Sequence, residues 1–105
     1  MSEETEGLLA EYLRLTREVL PGRAASEGWV IRADHCFGRI LLDHVFGGAW
    51  YEHLAGRTPA CRQLTADQLR RAVHMARDVE REGDPLLRRL NADSLRWRGK
   101  AGRQR

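Results

Sequence analysis

A chain of 105 residues and 12.0 kDa supplies material for one hydrophobic core and not two. With 42% hydrophobic and 31% charged residues it has enough apolar side chain to fold and enough charge to stay dispersed, which excludes a disordered polymer. The net charge of +3 is unevenly placed: residues 1–52 hold 5 Arg against 9 acids, a balance of −4, and residues 53–105 hold 13 Lys or Arg against 6 acids, a balance of +7.

The longest run of large apolar side chains, Ile40-Leu41-Leu42, falls far below the roughly 20 residues of a membrane span, so no membrane partner is expected. The opening Met1-Ser2-Glu3-Glu4 carries neither a basic segment nor an apolar one, and a cytoplasmic location is expected. Cys36 and Cys61, a lone pair in such a chain, are expected as reduced thiols.

Leu8, Leu9, Tyr12, Leu13, Thr16, Val19 and Leu20 recur every three or four residues, the stripe of a first helix. Ser2 caps it, Glu3, Glu4 and Glu6 suit its positive end, Arg14 and Arg17 its negative end, and Pro21-Gly22 is expected to stop it. A loop to Gly28 and an extended Trp29-Val30-Ile31 connector follow. Asp34 is expected to cap a second helix reaching about Phe46, with Gly47-Gly48 supplying its exit. At about 100° per residue, Phe37, Ile40, Leu41, Leu42 and Val45 form its apolar sector, and His35, Arg39 and Asp43 form a narrow polar strip on the other side.

Ala49 to Leu54 is read as a further turn carrying Trp50 and Tyr51. Thr65 and Gln68 have the spacing of a capping box, framed by Leu64 and Leu69 as a hydrophobic staple. The helix they start buries Leu69, Ala72, Val73, Ala76 and Val79 and ends at Gly83. Asp84-Pro85 is then expected to start a fourth helix, Asp84 as its cap and Pro85 as its first residue, with Leu86, Leu87, Leu90 and Trp97 as its apolar contacts. The fold class predicted is all-α: a single helical domain over residues 1–98, four main helices with short connections, and a flexible basic tail at 99–105.

Two constellations carry chemistry. The first is the group Asp34, His35, Arg39, Asp43 and His44, candidates for a ligand or catalytic site. His35 is placed as a general base oriented by Asp34 or Asp43, and Arg39 as the holder of an anion. Beside that reading stands an ion-pair network, with His44 satisfied inside the core by a carbonyl or carboxylate. His35, Cys36, His44, His53, Cys61 and His74 show no paired-ligand spacing, so neither a metal nor another cofactor is expected.

The second constellation is cationic: Arg88, Arg89, Arg96, Arg98, Lys100, Arg103 and Arg105, the last five in a stretch without any acid. Guanidinium forks suit phosphate oxygens, and Trp97 between Arg96 and Arg98 is placed to stack on a base or to join the apolar stripe. Arg70, His74, Arg77 and Arg81 share a further face, diluted by Asp67, Asp78, Glu80 and Glu82.

The run Asp34-His35-Cys36-Phe37-Gly38-Arg39-Ile40 with Asp43, Gly47 and Trp50-Tyr51, then Pro59-Ala60, Gln63-Leu64-Thr65 and Ser94-Leu95-Arg96-Trp97-Arg98-Gly99-Lys100, resembles a group of short bacterial proteins of uncharacterised function. The likeness covers residues 29–100, and members of that group sometimes carry a GNAT-type acetyltransferase label. The label implies acetyl-CoA held by a strand and a Gln/Arg-x-x-Gly-x-Gly/Ala turn at a helix N-terminus. The nearest segment here is His44-Val45-Phe46-Gly47-Gly48-Ala49, with His in the first position and a predicted helix in place of the strand. The function expected from the residues is that of a non-enzymatic accessory protein whose basic C-terminal half binds nucleic acid or a ribonucleoprotein. The alternatives are a ligand or enzyme site at Asp34, His35, Arg39 and Asp43, or a homodimer in which the acidic half of one molecule meets the basic half of another.

Overall fold

Ser2 opens the first helix as expected: its Oγ accepts the Thr5 amide at 3.1 Å, with Glu3, Glu4 and Glu6 in the first turn. The computed structural model describes residues 2–99. Among them α1 (Glu3–Arg14) passes through a π-helical turn (Leu15–Val19) directly into α2 (Leu20–Glu27). Pro21-Gly22, expected to stop the helix, lies inside this rod. A proline in mid-helix lacks an amide donor and its ring crowds the carbonyl four residues back. The π turn relieves both demands, because just before Pro21 the Leu20 amide reaches back five residues to the Leu15 carbonyl and opens the ladder. Pro21 then occupies the first turn of α2, where no donor is needed. The rod ends instead at Gly28, whose φ of 73° is the left-handed conformation that closes helices.

The connector after Gly28 is irregular, with Trp29 buried against the bare α-carbon of Gly83 and Val30 exposed. Ala33, in extended conformation, holds the cap position of α3 (Asp34–Phe46) in place of the expected Asp34. Asp34 is the first helical residue, and its Oδ1 accepts the His35 amide at 2.7 Å. Two 3-10 turns, Trp50–Glu52 and Ala60–Gln63, lead to α4 (Ala66–Glu82). Gln63 ties the loop between them, accepting from the Ala55 amide and donating to the Ala55 and Thr58 carbonyls at 2.8 to 2.9 Å. Both arms of the capping box form at Thr65 and Gln68, at 3.2 and 2.8 Å. Gly83, with a φ of 80°, holds the cap position of α5 (Asp84–Trp97) in place of the expected Asp84, which is the first helical residue, and Pro85 lies in the first turn.

The result is the all-α architecture expected, with the α1–α2 rod, α3, α4 and α5 as four rods and no strand among the described residues. Buried side chains of all four form one cluster, including Leu9, Leu15, Leu20, Phe37, Ile40, Leu69, Val79 and Leu87. Leu15 lies outside the stripe read from the sequence yet is fully buried, because the π turn admits an extra residue to the inward face. The rod packs on α4, and α3 packs on both α4 and α5. No helix among the described residues is long and apolar enough to cross a membrane. Of the tail expected at 99–105, residues 100–105 lie outside the described residues.

Charges on the rod and on α4 register with each other. Glu4 pairs with Arg70 at 2.5 Å and Glu11 with Arg77 at 2.8 Å, each partner seven residues from the last on its own helix. Part of the −4/+7 polarity of the sequence is therefore satisfied within one molecule. Hydrogen bonds from Arg14 and Arg77 hold the Glu11 carboxyl at a pKa of about 2, below its ordinary value.

Candidate functional site

The five residues proposed as one ligand site fall into two places. Asp34 and His35 stand at the exposed start of α3, with His35 Nδ1 3.8 Å from Asp34 Oδ1. Arg39, Asp43 and His44 lie further along α3 and face α5. Eight residues of helix separate His35 from Asp43, about 12 Å of rise, so Asp43 does not orient that imidazole. Cys36 and Cys61 are free and partly buried. Among the described residues no three His, Cys, Asp or Glu side chains are grouped to hold a metal ion.

Asp43 is the centre of the arrangement. Its side chain has no solvent exposure, and every polar contact it makes comes from another element. Arg98 donates Nε to Oδ2 at 2.7 Å and Nη2 to Oδ1 at 2.9 Å, a two-pronged pair across 55 residues. The Ser94 hydroxyl donates to Oδ2 at 2.6 Å, and the Trp50 amide donates to Oδ1 at 3.0 Å. Around this clasp Arg39 donates to Ser94 Oγ and to Asn91 Oδ1, each at 2.7 Å. The Arg98 guanidinium also lies over the Tyr51 ring, 5.0 Å from its centroid. One carboxylate thus fastens α3, the Trp50–Glu52 turn and the last turn of α5.

Burial opposes ionisation of Asp43, but the bonds from Arg98, Ser94 and the Trp50 amide together outweigh it and hold the carboxyl below its ordinary pKa. Hydrogen bonding to Asp43 raises the Arg98 pKa in turn. For Asp43 as for Glu11 the folded state binds its proton more weakly than the unfolded chain does. Both stabilise fully above about pH 4, the ordinary carboxylate range, and lose that effect as pH falls through the lower native values. Urea midpoints are expected to be level between pH 7 and pH 5 and to drop steadily from about pH 4 to pH 2. A midpoint as high at pH 2 as at pH 7 would contradict the assignment.

His44 is satisfied as a core histidine. Nε2 lies 3.0 Å from the Leu90 carbonyl, which only accepts, so that nitrogen carries the proton. Asp93 Oδ2 is 3.8 Å away, and the Trp97 ring meets the imidazole edge-on at 4.7 Å. Trp97 is half-exposed, at 39%.

The cationic candidates divide by face. Arg98, expected among the phosphate contacts, turns inward to Asp43 and is only 13% exposed. Arg88, Arg89 and Arg96 are exposed and share the outward side of α5. Arg88 pairs with Asp84 at 2.7 Å and Arg96 pairs with Asp93, while Arg89 has no acidic partner among the described residues. Lys100, Arg103 and Arg105 lie outside the described residues. On α4, Arg70 and Arg77 are held by Glu4 and Glu11, and Arg81 by Asp78. An open groove of about 840 Å³ runs between α4 and α5 over Met75, Leu86 and Leu90.

Sequence reasoning missed Ser94, Asn91 and Tyr51. Ser94 had a signal: it stands four residues after Leu90 and seven after Leu87, a hydroxyl inside an apolar stripe. His44 to Ala49, compared with an acetyl-CoA turn above, is the end of α3, the left-handed Gly47 cap and the lead into the next turn. No family model matches the chain, and neither a curated protein nor a solved structure matches it significantly.

Proposed function

We propose that this chain is a small non-enzymatic accessory protein whose C-terminal arginines bind the phosphate backbone of nucleic acid, alone or within a ribonucleoprotein. The observation that carries the reading is the common outward face of Arg88, Arg89 and Arg96, which runs into the acid-free stretch holding Lys100, Arg103 and Arg105. The arginines of the Arg88–Asp84 and Arg96–Asp93 pairs are solvent-exposed, and ion pairs at a surface are worth about 0 to 1 kcal/mol, so these guanidiniums turn readily to a phosphate. Arginine presents five donors in a planar fork, and 17 of the 18 basic residues are arginine. Arg39 and Asp43 of α3, which would otherwise suggest catalysis, are engaged with Asn91, Ser94 and Arg98 at the end of α5, in keeping with a binding protein rather than an enzyme.

The test is fluorescence anisotropy of the whole chain, and of a chain ending at Gly99, on a short DNA duplex and on single-stranded RNA between about 50 and 200 mM salt. Cutting after Gly99 removes Lys100, Arg103 and Arg105 but keeps the Arg98 clasp. Counterion release makes the slope of log K against log salt a count of phosphate contacts, about 0.9 for each on duplex DNA. The whole chain is expected to bind steeply and the shortened chain to lose about 2 to 3 units of slope. No binding at the lower salt by either form would refute the reading.

A further inference from the structure

The π turn that carries the chain past Pro21 also shapes a second cavity. It holds about 250 Å³ between the rod, the start of α3 and the Ala60–Gln63 turn. Leu13, Leu42, Ala60 and Cys61 give it apolar walls, and Gly38, which has no side chain, leaves room at its side. A Cβ built on Gly38 would lie 3.5 Å from the Tyr12 hydroxyl. Tyr12 as a residue is 3% exposed, and its hydroxyl, to which no described residue hydrogen-bonds, is not sealed from the cavity: among the described residues the enclosed side-chain atom without a partner is Asp84 Oδ1. A hydroxyl that borders a cavity is free to donate to what occupies it.

Arg17 lines the same cavity, five residues after Tyr12, on the side of the rod to which the wider π turn brings it. Its exposed guanidinium borders the same cavity as Tyr12, so two donors line one region. Burial, followed by Cys61, pushes the Tyr12 phenol above its ordinary pKa against the opposing pull of Arg17, so the phenol stays protonated and donates. Thr16 directs its own hydroxyl to the Tyr12 carbonyl at 3.0 Å. Asp34 and His35 stand at the mouth and are largely exposed, and Asp34 Oδ1 is turned to the His35 amide.

We propose that this cavity is a binding site for a small carboxylic acid with a compact apolar body, its carboxylate accepting from the Tyr12 hydroxyl and facing Arg17, its body against Leu13, Leu42, Ala60 and Cys61. The site is independent of the arginine face of α5. It joins Asp34 and His35, candidates from the sequence, to residues of the rod that the sequence reading assigned to the core.

The experiment is an amide NMR titration of the full chain with benzoate and with isovalerate, using benzamide as the uncharged counterpart and inorganic phosphate as the bare anion. Either acid is expected to give saturable shifts at Thr16, Gly38, Leu42 and Cys61, with benzamide and phosphate weaker by about tenfold or more, the effect of one charged hydrogen bond. Tyr12→Phe is expected to weaken the acid by about tenfold. Because no described residue hydrogen-bonds the lost hydroxyl, the melting temperature of Tyr12→Phe is expected to equal or exceed that of the parent chain. The proposal fails if neither acid shifts those amides, if benzamide or phosphate binds as well, or if Tyr12→Phe keeps full affinity. A lower melting temperature for Tyr12→Phe would also overturn it, by showing that the hydroxyl serves the fold.

Discussion

Replacing Asp43 by alanine is expected to lower the unfolding free energy by about 3 kcal/mol, the range found when one partner of a buried pair is removed. The substitution deletes the acceptor of four hydrogen bonds, two from Arg98 and one each from Ser94 and the Trp50 amide. Arg98 is then left with its charge, 13% exposed, with the Tyr51 ring beside it and no acidic partner among the described residues. In a domain of this size about 3 kcal/mol lowers the melting temperature by roughly 15 °C. Asp43→Asn keeps the volume and an acceptor for Trp50 or Arg98, and is expected to lose about half as much. Replacing both partners, as in Asp43→Leu with Arg98→Met, leaves no orphaned charge and should be less damaging than the two single changes added together. Urea unfolding followed by circular dichroism measures all five variants, the two single changes of the double included. A loss under about 1 kcal/mol for Asp43→Ala would mean that the clasp does not hold α5.

The second large effect concerns binding. Changing Arg88, Arg89 and Arg96 together to glutamine is expected to weaken duplex DNA binding by roughly a hundredfold at about 50 mM salt and to flatten the salt dependence by about 2 units. The estimate lies below full counterion release for three contacts, because Arg88 and Arg96 already share their forks with Asp84 and Asp93. Stability is expected to change little, since these side chains are exposed and their ion pairs are local on α5. The weakening is expected to be similar on unrelated sequences, because phosphate contacts position a protein without reading bases. Anisotropy on two duplexes of different sequence checks both points, and affinity unchanged by the triple substitution would place the binding elsewhere.

Local signals in the sequence were legible where the deciding partners are near in the chain. The capping box at Thr65 and Gln68, the α4 stripe from Leu69 to Val79 and the Asp84-Pro85 restart all depend on neighbours within one or two turns, and all formed. Pro21 was misread because its effect depends on the preceding turn, and five residues of π-helix carry no pattern that distinguishes them from an α stripe. Asp43 shares a polar strip with His35 and Arg39 on an angular plot, which does not say what covers that strip, whereas α4 and α5 both cover α3 and leave little of it uncovered toward its C-terminal end. Arg98 was counted with the tail cations because no acid stands near it in sequence, its partner being 55 residues away. The same limit hid the cavity at Tyr12, which depends on Gly38 and Cys61 from two other elements.

The division of the C-terminal arginines between fold and ligand is tested most directly by measuring salt slopes on one DNA duplex for the parent chain, Arg89→Gln and Arg98→Gln, at a temperature where all three are folded. Arg89→Gln is expected to lower the slope by about 1, the loss of one phosphate contact, while Arg98→Gln leaves the slope unchanged and lowers the melting temperature. Equal loss of slope in both variants, or none in Arg89→Gln, would contradict the account.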